Sequence, residues 1–178
     1  NNKQRIQDAQ IKTTERLASF SPQYRGPGKQ EVFPAFADAN RVLLATHSRL
    51  MWYRYDTNQL TVLHEGQGVY YGIFPGEELD LMGAPTTVWV VSRPHNWRPT
   101  TANEWLLKLD INTGEELDRV KIDSHFTHDV VRSKGRVYIA NTGKGEIIEM
   151  SFPDMTPVRS MELFTLKQHI NTLAPTPT

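Results

Sequence analysis

Two periodicities divide the chain. Over residues 3–20, Ile6, Ala9, Thr13, Leu17 and Phe20 recur at spacings of three and four, with Lys3, Arg5, Asp8, Lys12, Glu15 and Arg16 between them. Spacings of that kind place the apolar side chains on one stripe of an α-helix and the charges opposite. Ser21-Pro22 and the Arg25–Gly28 turn signal end the pattern, because proline cannot continue a helix and glycine favours a linker. Residues 1–30 therefore read as an N-terminal helix with a Pro/Gly linker, peripheral to the main body.

From Glu31 onward the period falls to two and stays there. The runs Arg41–Ser48, Thr87–Arg93 and Arg136–Thr142 are β-branched and aromatic and are closed by polar or turn-forming residues. Their first valines, Val42, Val88 and Val137, lie 46 and then 49 residues apart. Each run leads to a second alternating segment, Leu50–Asp56, Glu104–Asp110 and Glu146–Phe152, and each of those ends in a turn made of Asp, Asn, Gly or Pro. A third, shorter and more polar segment follows every time: Gln59–His64, Leu117–Ile122 and Pro157–Leu163. A strand preceding each valine run completes a unit of four, at Phe33–Phe36, Tyr71–Phe74, His128–Val131 and, beginning a further unit, Asn171–Ala174.

Repetition at this period in an all-β chain, with polar outer strands, predicts a β-propeller built of four-stranded antiparallel blades. The blades fall at about residues 32–66, 67–123 and 124–164, with the start of another at 165–178, so that 31–178 is a propeller segment. Three blades do not close a ring, which complete propellers achieve with four or more. The expectation is that a longer polypeptide, or another chain, supplies the remaining blades.

Composition narrows the function. The 20 Lys and Arg balance 20 Asp and Glu, so no net field steers the chain onto nucleic acid. The longest unbroken apolar runs, such as Val88–Val91, are far below the ~18 residues of a membrane-spanning helix. No transmembrane segment is expected. The absence of cysteine excludes disulfides and thiolate metal sites. The chain opens on Asn1 rather than methionine, which suggests either a processed N-terminus, with an extracytoplasmic or organellar location, or a beginning that lies outside this sequence, and no signal-like apolar stretch decides between them. There is no phosphate-cradling glycine loop, no Gly-x-Ser-x-Gly elbow and no His-Glu-x-x-His.

The third unit carries a resemblance. His128-Asp129-Val130-Val131, the run Gly135–Gly143 and Gly145–Glu149 together look like an NHL-type propeller repeat, and the wider pattern is similar to the gluconolactonase-like propellers. Leu109–Gly114 resembles the strand and turn of quinoprotein-like and YVTN-type propellers. Such motifs specify a blade and leave the activity open. The resemblance to metal-binding propellers, the gluconolactonase group and the peptidylglycine amidating lyases, implies a divalent ion in the central channel. "His-Asp" on an inner strand also resembles the arylsulfotransferase propellers.

Aligning the inner strands sets Phe33, Tyr71, His128 and Asn171 at equivalent positions on the channel. Of these, Tyr71, His128 and Asn171 are candidate polar lining groups, and His128 with Asn171 are the candidate ligands for a metal. His125 and His128 do not form a local His-x-x-His site, because residues three apart on a strand face opposite ways unless a bulge intervenes. Two long loops interrupt the second unit, one over Pro75–Pro85 and one over Arg93–Asn103. Long loops on a rigid scaffold are where binding concentrates. Arg93, His95, Trp97 and Arg98 are the candidates on the second, with Trp97 beside Arg98 having the composition of a binding hot spot. The function expected is a non-catalytic binding or scaffolding module with a protein partner. The alternatives are a metal-dependent lactonase-like or lyase-like enzyme, or a transferase, centred on the channel.

Overall fold

The computed structural model describes residues 40–95, 103–163, 165 and 168–174. The expected helix and linker of residues 1–30, the strand at Phe33–Phe36 and the loop residues Trp97 and Arg98 lie outside the described residues. Those described contain eleven strands in three antiparallel sheets and no helix. None of them therefore forms a helix long and apolar enough to cross a membrane.

The first sheet runs β1 (Arg41–Ala45), β2 (Arg49–Arg54), β3 (Gln59–Glu65). The second runs β4 (Val69–Pro75), β5 (Thr87–Arg93), β6 (Glu104–Asp110), β7 (Glu116–Ile122). The third runs β8 (Thr127–Ser133), β9 (Arg136–Asn141), β10 (Glu146–Ser151), β11 (Pro157–Glu162). Each is a meander in which sequence neighbours pair. The turns supply the backbone that the strands require. The Asp110 carboxylate accepts hydrogen bonds from the Asn112 and Thr113 N–H groups, both at 2.8 Å, and Gly114 closes that turn at φ +75°. Lys134 and Gly135, both at positive φ, make the two-residue connection between β8 and β9.

The segment expected to begin a further unit, 171–174, has no regular secondary structure and pairs into no sheet. The outer strands β3, β7 and β11 are the exposed ones, as their polarity predicts, although β3 and β7 are seven residues long, no shorter than the other strands of their sheets.

The second sheet lies between the other two. Val88 and Val90 of β5, with Leu107 and Leu109 of β6, pack with Leu43, Leu50 and Trp52 of the first sheet. The alternate residues Trp89, Val91 and Leu106 pack with Val130, Val137, Ile139 and Met150 of the third. Every residue of β5 is consequently buried, and its middle, Val88–Val91, reads as an unbroken apolar run rather than an alternating one. The inner strands β4 and β8 approach closely at Gly72, which adopts φ +45° at a bulge. A Cβ there would stand 2.8 Å from the backbone nitrogen of Val130, so only glycine fits.

Candidate functional site

The inner strands of the second and third sheets are both bulged at the same end. In β4 the register shifts between Tyr71 and Ile73, and in β8 between Thr127 and Val130. A bulge re-aims the side chains it carries, and these two bring Tyr71 and His128 together, their rings edge-on with centroids 6.1 Å apart. Phe126, at φ +66°, lays its ring against His128 at 4.4 Å. Two of the predicted lining residues thus share one site.

The third does not join them. Asn171 is exposed in the irregular segment, and the residue that meets His128 is His169, two positions earlier. The two Nε2 atoms are 3.1 Å apart and the ring centroids 4.7 Å. The segment carrying His169 is fastened to the third unit just after this contact. Thr142 Oγ1 donates to the Ile170 carbonyl at 2.5 Å, and the Leu173 N–H donates to Asp129 Oδ2 at 2.8 Å. Asp129 Oδ1 accepts from the Val130 N–H, so His128-Asp129 uses its histidine for the site and its aspartate to anchor the chain beside it.

Arg93, where the Thr87–Arg93 run meets the long loop, is the last residue of β5 and, rather than facing a partner from the loop, is buried to 2% exposure. Its guanidinium is sandwiched between the rings of Tyr71 at 4.2 Å and Phe126 at 4.6 Å. Its Nε lies 3.3 Å from Oε1 of Glu104, which is itself wholly buried. Glu104 in turn accepts from Ser124 Oγ and Thr127 Oγ1, both at 2.6 Å, and from the Thr127 N–H. A buried carboxylate so supplied with donors offsets the arginine charge and holds the start of β8. His95 stays on the rim, exposed, with its ring 5.7 Å from that of His47.

His128 is held below the ordinary histidine range. Burial is the main cause, reinforced by His169 and the Arg93 charge and opposed by Glu104. At neutral pH it is therefore an uncharged imidazole. His125 is not part of the site: β8 begins at Thr127, and the His125 backbone is taken up by Asn141 Oδ1 and the Gly143 N–H.

Among the described residues no group of three or more His, Asp or Glu is placed to hold a metal ion. Two imidazole nitrogens on one ion at ~2.0–2.1 Å stand roughly 2.9–3.4 Å apart for angles from octahedral to tetrahedral. The His128 and His169 separation falls in that interval, whereas the expected pairing of His128 with Asn171 is not formed. Matching hydrophobic positions missed His169 because it treats 171–174 as a further inner strand, whereas residues 168–174 pair into no sheet and so follow no strand register.

A second feature lies on the loop between β4 and β5. Asp80 Oδ1 accepts from the Met82 and Ala84 N–H groups, both at 2.8 Å, Leu79 bridges to Pro85, and the Thr86 N–H donates to the Glu78 carbonyl. Lys108 Nζ grips the carboxylates of both Glu77 and Glu78 from β6. At the tip of this braced loop Leu81 is 105% and Met82 90% exposed.

No family model matches the chain, and no curated protein matches it. Among solved structures it is similar to one described as "Crystal structure of Nidogen/Laminin Complex", with a TM-score of 0.34 and 12% identity. The likeness covers 72% of this chain and 60% of that one, so the chain spans less than two thirds of its length.

Proposed function

We propose that the three sheets are successive blades of a β-propeller and that the chain is a binding module, engaging a protein partner through the loop from Glu77 to Ala84. The observation carrying this reading is the pair of fully exposed apolar side chains, Leu81 and Met82, on a loop fixed by its own hydrogen bonds. A loop held rigid before contact loses little entropy on binding, and apolar tips of this kind gain most when a partner pocket covers them. The acidic residues Glu77, Glu78 and Asp80 at its base suit a pocket rimmed with basic groups.

The test places a photo-crosslinking residue at Met82 and, separately, at Leu117, an apolar side chain half exposed on β7. The expected result is one adduct of defined mass from position 82, lost when Leu81→Asp is added, with none from position 117. Equal labelling at both sites overturns the reading.

A second reading, a metal-dependent lactonase-like or lyase-like enzyme, draws support from the convergence of His128 and His169. A bound divalent ion would supply Lewis acidity there. In that reading Tyr71 and the Arg93 and Glu104 pair stand beside the histidines, and two imidazoles alone do not complete the coordination of an ion. Turnover of a lactone panel that disappears in His128→Ala would favour it.

A further inference from the structure

We propose that His128 and His169 form a two-imidazole clasp for a borderline divalent transition ion such as Zn2+, which locks residues 168–174 onto the third sheet. The inference concerns fastening of the chain rather than catalysis, and it is independent of the docking loop.

Three observations carry it. The Nε2 atoms face one another at 3.1 Å, the span of two ligands on a single ion at ~2.0–2.1 Å. The two imidazoles come from different parts of the chain, and the backbone that follows His169 is set by other contacts, Thr142 with the Ile170 carbonyl and Asp129 with the Leu173 N–H. The histidine pair therefore does not create its own geometry alone; the contacts just after His169 help present it. Finally, His169 is exposed while His128 is half-buried, so an ion has an approach from solvent and one well-oriented ligand waiting.

Imidazole nitrogen selects Zn2+, Ni2+ and Cu2+ over Ca2+ and Mg2+, which prefer oxygen. Without an ion, one Nε2–H donates to the other Nε2 across the 3.1 Å gap. Coordination requires both Nε2 lone pairs, so the donating ring moves its proton to Nδ1. No net proton is lost from two neutral rings. Two protein ligands leave the remaining positions to water, which limits the affinity and leaves the ion exchangeable.

The experiment titrates the 178-residue chain with Zn2+ by calorimetry and records melting temperature and amide exchange in parallel. One equivalent is expected, with exchange of the Leu173 amide slowed and the melting temperature raised by about 5–10 °C at ion concentrations ~100-fold above Kd. His128→Ala and His169→Ala should each weaken binding at least about tenfold and abolish both other effects. The double variant His47→Ala, His95→Ala, which removes the other neighbouring histidine pair, should leave the titration unchanged. Calcium should give no heat. Absence of binding, or binding that survives His128→Ala with His169→Ala, or binding lost in the His47 and His95 variant, overturns the proposal. A chain that binds Zn2+ at the pair without slowing the Leu173 amide overturns the clasp.

Discussion

At the scale of single residues, Glu104 is the group on which the site's electrostatics turn. It is wholly buried, it faces the buried Arg93, and it accepts from Ser124 and Thr127, which begin the approach to β8. Removing it leaves a cation inside the protein without its counter-charge and three donors without an acceptor. Glu104→Ala should therefore lower stability by about 3–5 kcal/mol, the range for breaking a buried pair from one side. Glu104→Gln, which keeps an acceptor and loses the charge, should recover part of that in a denaturant titration; equal losses for both variants would mean that packing rather than charge dominates. None of this was legible in the sequence. Arg93 stands next to Pro94 at the mouth of a long polar loop and reads as a loop residue, and Glu104 opens a strand where an exposed acid is the ordinary expectation. Only the bulged backbone of β4 and β8, set by local sterics at Gly72 and Phe126, folds Tyr71 and Phe126 over the guanidinium.

At the scale of elements, the turns and strands were readable and the long connections were not. Asp110, Asn112 and Gly114 announce their turn because their chemistry is local, and the run Val88–Val91 announces a buried strand because burial on both faces needs apolar residues at successive positions. The loop from Glu77 to Ala84 looks featureless in sequence, yet it is ordered by a lysine thirty residues away. Lys108 is largely buried, and its ammonium bridges Glu77 at 2.6 Å and Glu78. Burial raises the Glu78 carboxyl, but hydrogen bonds from Lys108 and Thr87 outweigh it and hold it below the ordinary range. Lys108→Met should keep the aliphatic packing and remove the grip. The expected outcome is faster amide exchange at Met82, Ala84 and Thr86, with protection in β5 and β6 preserved. Unchanged exchange at those three amides would show that Asp80 alone orders the loop.

At the scale of the molecule, the repeat period of 46 and 49 residues correctly separated the three sheets, because each sheet is a unit that must bury its faces on a neighbour. The period could not show how unequal those neighbours are. The second sheet buries both faces, one against the first sheet and one against the third, so it cannot open without exposing both apolar clusters. The first sheet contacts only one of them. Local opening should follow that asymmetry. Leu50→Ala, which removes a fully buried side chain at about 2–5 kcal/mol, should speed amide exchange in β1 to β3 and leave β9 and β10 protected. Trp89→Ala, at about 3–5 kcal/mol, empties the heart of the cluster between the second and third sheets and should speed exchange in β4 to β6 and β8 to β10 together. If Leu50→Ala accelerated β9 and β10 as much as β2, the three sheets would instead unfold as one unit, and the nearest-neighbour coupling expected of stacked repeats would not describe this chain.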